Sequence, residues 1–299
     1  MLRLFTTFIF LVVLSFSKSI YAQEAFGFSA MKTANSSGTL EAMVVSGGSV
    51  FEVRKLAHVS VLVSHPKGDF LWDTGLGRDV AEQMEVFGFL DKQLFKVENH
   101  APARDQLEKN GYDFSRLKMV IPSHMHWDHV SGLEDFLGVP VWVQPQSMEE
   151  AHAGLPPGFV ASQFDSDQIV WNMLTLNDTE YEGFSKSLDI YGDGKAVLVD
   201  LSGHSHGHLG LFLNLSPEQR YFFIGDATWV YEGVENNSSR PSIIKWLVGV
   251  DADFEQNADM VKRIHAIHQR LPDLKIVPAH DERVMLSLPA YPAFERASK

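Results

Sequence analysis

The segment Ser123-His124-Met125-His126-Trp127-Asp128-His129 constrains this 299-residue chain more than any other feature. It follows Leu117-Lys118-Met119-Val120-Ile121-Pro122, an apolar run that reads as a strand. Three imidazoles and a carboxylate therefore gather at one strand end. Packed together inside a protein, such groups are costly to desolvate unless a cation pairs with them. Imidazole nitrogen and carboxylate oxygen suit a divalent ion, with zinc as the first expectation and iron, manganese or cobalt as alternatives. The chain has no cysteine, which excludes thiolate metal sites, disulfides and thiol catalysis.

One strand end cannot complete such a site, because only some of its side chains can point at the same ion. Later strand ends supply further ligands. His204 follows the strand-like 196–200, Asp226 ends 220–226, and His280 ends 274–280. Open α/β sheets place their sites beyond one set of strand ends, so these positions are expected to converge.

Other expected strands are 40–47, 49–56, 58–66, 68–75, 117–123, 139–144 and 209–215, with helices at 79–87, 101–110, 147–153 and 257–271. This alternation, without repeats, predicts one α/β domain of layered sheets over 39–299. Residues 154–187 and 227–256 take no assignment, and loops of that length often carry function. Their Phe159, Phe164, Trp171, Met173, Trp229, Tyr231 and Trp246 either line a pocket or pack onto the core. Residues 23–38 show neither helical nor strand periodicity and read as an amino-terminal arm, a candidate homodimer contact.

Residues 1–22 carry Arg3, an apolar run from Leu4 to Phe16, and Ala22 before Gln23, the pattern of a signal peptide cleaved after Ala22. An uncleaved anchor fits less well, because Ser15, Ser17, Lys18 and Ser19 end the run short of the roughly 20 apolar residues a spanning helix needs. The expectation is a periplasmic or secreted protein with no stable membrane association. A net charge of −13 and the lack of a basic run argue against nucleic acid as a partner.

In order, HMHWDH, GHSHGH, GDA and AHD resemble the metallo-β-lactamase superfamily over roughly residues 40–285, and most of all its N-acyl homoserine lactonases. The resemblance implies a four-layer αββα sandwich with its site along one sheet edge. It implies two metal ions, the first on His124, His126 and His204, the second on Asp128, His129 and His280, with Asp226 bridging. Asp128 and Asp226 become the catalytic carboxylates, and a hydroxide shared by the ions opens the lactone ring of a small-molecule substrate. Asp73, in Trp72-Asp73-Thr74-Gly75, resembles a turn-former supporting the histidines, and His208 a hydrogen-bond partner of the ligands. His206 lines the pocket or faces water. His58, His65, His100, His152, His265 and His268 lack a ligand context and read as ordinary structural residues.

Many such lactonases carry a tyrosine three residues after the bridging aspartate. Here that position is Trp229, and Tyr231 is the candidate replacement. The departure keeps alternatives open: an aryl esterase, phosphotriesterase or β-lactamase-like hydrolase, or, in another class, a non-catalytic exported metal-binding protein.

Overall fold

The computed structural model describes residues 26–244 and 251–297; the expected signal peptide and Trp246 lie outside them. Period-2 runs of β-branched and aromatic residues set the strands. In chain order these are β1 (Gly27–Ser36), β2 (Thr39–Leu40), β3 (Val53–Arg54), β4 (Ala57–Ser64), β5 (Asp69–Trp72), β6 (Val97–Glu98), β7 (Leu117–Ile121), β8 (Val141–Val143), β9 (Trp171–Met173), β10 (Ser187–Asp189), β11 (Ala196–Asp200), β12 (Leu209–Ser216), β13 (Gln219–Phe223), β14 (Lys275–Val277) and β15 (Glu295–Arg296). One sheet runs β15-β1-β4-β5-β7-β8-β9 with β6 also on β1, and a second runs β10-β11-β12-β13-β14.

Alternation along the strands builds the layers. Val61, Val63, Phe70, Trp72 and Ile121 of the first sheet meet Leu198, Leu211, Leu213, Tyr221 and Phe223 of the second in one buried cluster. The intervening residues face outward. Leu62, Leu71 and Val120 pack under Leu107, Phe136 and Ala151 of the outer helical segments, and Phe212, Phe222 and Ile276 pack under Met260, Ile264 and Ile267 of the helix Phe254–Arg270. The result is the expected αββα sandwich. Among the described residues no helix is long and apolar enough to cross a membrane.

Two expectations fail. Residues 27–36 are not an arm but β1, paired with β4 on one side and β15 on the other. Both of its faces are buried, and polar Ser29, Thr33 and Asn35 alternate irregularly with Phe28, Ala30, Met31 and Ala34, so no apolar alternation marks it. Thr33 is held instead by hydrogen bonds, donating to the His58 carbonyl (3.0 Å) and accepting from the Leu76 amide (2.9 Å). The homodimer contact expected of an arm loses that basis. Residues 40–47 are not a strand either: only Leu40 belongs to β2, and Glu41–Met43 is a turn of 3-10 helix, because the Glu41 carboxylate accepts from Ser49 N (3.0 Å) and Arg54 Nη1 (2.9 Å) and folds the segment back on itself.

Candidate metal centre

β5 and β7 are parallel, so Asp73 and the His124–His129 segment leave the first sheet at one edge. β4 is antiparallel to β5, which brings its first residues, Ala57 and His58, to that same edge. In the second sheet β11 and β13 both flank β12 antiparallel, and β14 runs parallel to β13, so His204, Asp226 and His280 also emerge together. Gly203 makes this possible for His204. At its φ of +147° a Cβ would lie 2.6 Å from Asn257 N, so only glycine lets the start of the helix Phe254–Arg270 approach this loop.

Three imidazoles converge first. His124 Nε2 lies 2.9 Å from His126 Nδ1, and His204 Nε2 lies 3.2 Å from the former and 3.0 Å from the latter. Ligand atoms of a tetrahedral zinc site with bonds of about 2.0–2.1 Å are separated by about 3.3 Å, so this triangle has the size of one face of such a site. Burial, reinforced by the neighbouring imidazoles, keeps His124 far below its usual protonation range and brings His126 down to about 3, which leaves their lone pairs available.

A second group faces it across Asp226. His58, Asp128 and His280 place ligating atoms within 4.8 Å of one another, as do His124, His129 and Asp226. Asp226 Oδ2 is 3.1 Å from His280 Nε2 and 3.6 Å from His204 Nε2, while its Oδ1 is 3.3 Å from His129 Nε2. The carboxylate thus touches both groups. Burial pushes Asp128 and Asp226 towards protonation, but the surrounding imidazoles outweigh it and keep both carboxylates below their usual range. Asp226 Oδ1 and His129 Nε2 are buried without a hydrogen-bond partner, the condition expected of donor atoms shaped for a cation.

A ring of partners orients these side chains. Asp73 accepts from Ser123 N (2.6 Å) and Ser123 Oγ (3.0 Å) and lies 3.0 Å from His129 Nδ1, so it has the supporting position expected of it. His204 Nδ1 is 2.8 Å from Asp251 Oδ1, and His280 Nδ1 is 2.7 Å from the Ala57 carbonyl. Buried His208 takes the Asp226 amide on its Nε2 (3.3 Å), whereas His206 faces solvent. Trp229 Nε1 donates to Asp226 Oδ2 (2.9 Å). Tyr231 does not replace a tyrosine at the site. Its hydroxyl lies 3.4 Å from His268 Nδ1 and its ring packs with the second sheet's outer helix, because the turn at 231–235 starts by directing it there.

Three participants escaped the sequence reading. His58 Nδ1 sits 3.2 Å from Asp128 Oδ2. Arg240 pairs with Asp251 at 2.5 Å, donates to the Asp226 carbonyl and lies over the Trp229 ring. Asp251, like Arg240, comes from the unassigned loop, where nothing local singles it out.

The model of the metallo-beta-lactamase superfamily matches residues 53–280. This chain belongs to that superfamily. Its relatives include the N-acyl homoserine lactonase AttM of Rhizobium radiobacter, 25% identical over 240 residues that cover 78% of this chain and 85% of the relative. A probable metallo-hydrolase of Mycobacterium tuberculosis is 27% identical over 77% of this chain and 76% of its own length. Among solved structures, an N-acyl homoserine lactone hydrolase with its product N-hexanoyl-L-homoserine at the catalytic metal centre superposes with a TM-score of 0.70 at 19% identity, covering 91% of this chain and 99% of that one. The expected superfamily hydrolase, similar to lactonases, is what these comparisons return.

In this superfamily member a cavity of about 380 Å³ opens onto the centre. Its polar floor is His126, Asp128, His204, Asp226 and His280, and Met43, Leu56, Phe95, Phe159, Trp229 and Ile244 are among its walls. The loop aromatics therefore divide: Phe159 and Trp229 line the cavity, Phe164 and Trp171 pack into the first sheet's outer core, and Met173 is exposed.

Asp73→Asn tests the supporting role. Asp73 has φ +55°, which asparagine tolerates, so the backbone is undisturbed while the charge behind His129 is lost. Zinc affinity should fall about 10- to 100-fold with the fold intact, by competition with a chelator; unchanged affinity would assign Asp73 to the turn alone.

Proposed function

We propose that this chain is a dinuclear metal-dependent hydrolase that opens lactone rings of the N-acyl homoserine lactone type. The observation that carries the reading is the apolar cavity ending on a floor of imidazoles and two anionic carboxylates. The donor set fits two divalent ions, His124, His126 and His204 holding one, Asp128, His129 and His280 the other, and Asp226 reaching both. Such ions supply Lewis-acid polarisation of a carbonyl and a water acidic enough to ionise near neutral pH.

The chain's own residues do the rest. The walls formed by Met43, Phe95, Phe159 and Ile244 bind an acyl chain and exclude water, while the polar floor receives the ring. Asp128, on the cavity floor, is placed to carry a proton to the leaving alkoxide oxygen. The Trp229 N–H is committed to Asp226 Oδ2, so Trp229 fixes the orientation of the carboxylate instead of contacting the carbonyl as a tyrosine hydroxyl would.

Hydrolysis of a panel decides the substrate class: N-decanoyl homoserine lactone, γ-butyrolactone, nitrocefin, an aryl ester and a phosphotriester, each also with Asp226→Ala. Lactones should be opened, with the acylated one at lower KM, and activity should be lost in the variant. Turnover of only the ester or phosphotriester would overturn the lactonase reading, and no turnover at all would favour a metal-binding protein.

We also propose export with removal of residues 1–22, on the signal pattern ending at Ala22. Amino-terminal sequencing of the protein recovered outside the cytoplasm should begin at Gln23; a chain still carrying Arg3 would contradict it.

A further inference from the structure

The seven residues that the superfamily pattern assigns leave out one imidazole on the floor of the cavity. His58 opens β4, and its position is fixed by long-range contacts. The Ala57 amide donates to the His280 carbonyl at 3.0 Å, the Ala57 carbonyl lies 2.7 Å from His280 Nδ1, and the His58 carbonyl accepts from Thr33. Its ring lies edge-on to His280, with centroids 5.4 Å apart, and against Trp127. The side chain is buried, with 8% of its surface exposed.

The atom that faces the centre is Nδ1. It stands 3.2 Å from Asp128 Oδ2, and His280 Nε2 stands 3.4 Å from the same oxygen. These separations bracket the roughly 3.3 Å edge of a tetrahedral zinc site. A hydrogen bond from His58 to Asp128 is the ordinary alternative, but at this distance Nδ1 has no hydrogen-bond partner. It shares that condition with His129 Nε2 and Asp226 Oδ1, two atoms already read as metal donors. A buried ring nitrogen close to a carboxylate oxygen yet not aligned to share a proton with it is arranged as two ligands of one ion are.

We propose that His58 ligates the second metal ion through Nδ1, giving that site a third imidazole beside His129 and His280. The proposal rests on the dinuclear reading of the centre. It makes the second site richer in nitrogen than the superfamily pattern implies, and it ties β4 directly to the ion.

The test is competitive titration of the full mature chain with Zn2+ against a chromophoric chelator, for the wild type, His58→Ala and His58→Gln. The glutamine keeps a donor within reach of Asp128 but removes the imidazole. The wild type should take up two zinc ions, and both variants should keep the first affinity and lose, in the second, more than the roughly 10- to 100-fold that removing an outer-shell partner costs. A zinc-loaded crystal structure of the wild type, which needs no variant to fold, should place His58 Nδ1 about 2.0–2.1 Å from the second ion. Unchanged second-site affinity in His58→Gln, or a zinc to Nδ1 distance beyond about 3 Å, overturns the role of His58 and leaves the dinuclear site standing. Uptake of fewer than two zinc ions by the wild type overturns the dinuclear reading, and this proposal with it.

Discussion

The structure turns on imidazole nitrogens and carboxylate oxygens that crowd together in the interior. His124, His126 and His204 bring three ring nitrogens within 3.2 Å of one another, and His129 Nε2 and Asp226 Oδ1 are buried without partners. Taken alone, that arrangement costs several kcal/mol of desolvation and unsatisfied polarity. Divalent cations held at the centre would offset it, so the metal reading is a statement about folding as much as about chemistry. The two sheets matter because only their face-to-face packing carries Asp73, His124, His204, Asp226 and His280 to one shared edge.

Charge networks then tie the cavity walls to the ligands. Buried Arg54 binds Glu41 and Glu232 at 2.9 and 2.7 Å and Asp281 at 3.0 Å, and Asp281 follows His280 directly while also accepting from the Tyr231 amide. Arg240 does the same from the other side, joining Asp251 behind His204 to the Asp226 carbonyl. A loop that moved would therefore disturb an imidazole or the shared carboxylate. Pocket shape and the placement of the candidate ligands are coupled through these two guanidiniums, each of which holds several acceptors in fixed directions.

Much of this was legible in the sequence because it is locally written. HMHWDH, the glycine before His204, and Asp226 and His280 at strand ends all carry their meaning within a few residues, and so does the alternation that builds β4, β5, β7, β11, β12 and β13. What was hidden depends on distant pairing. β1 is buried on both faces and mixes Ser29, Thr33 and Asn35 with Phe28, Met31 and Ala34, so it shows no apolar period; hydrogen bonds hold Thr33 in place. His58 looks ordinary until the strand start that carries it pairs with the backbone of His280, more than two hundred residues away. Asp251 and Arg240 sit in a loop without periodicity, and Tyr231 is drawn off to His268 by a turn that its sequence does not announce.

The most direct test of the account is the metal content of the purified mature protein together with its thermal unfolding before and after chelation. A ligand bound only by the folded state stabilises it by RT ln(1 + L/Kd), with L the free ligand concentration, so tight binding raises Tm. The account predicts two divalent ions per chain and a marked fall in Tm when they are removed. A protein that carries no metal, takes none up, and unfolds at the same temperature with and without chelator would contradict it.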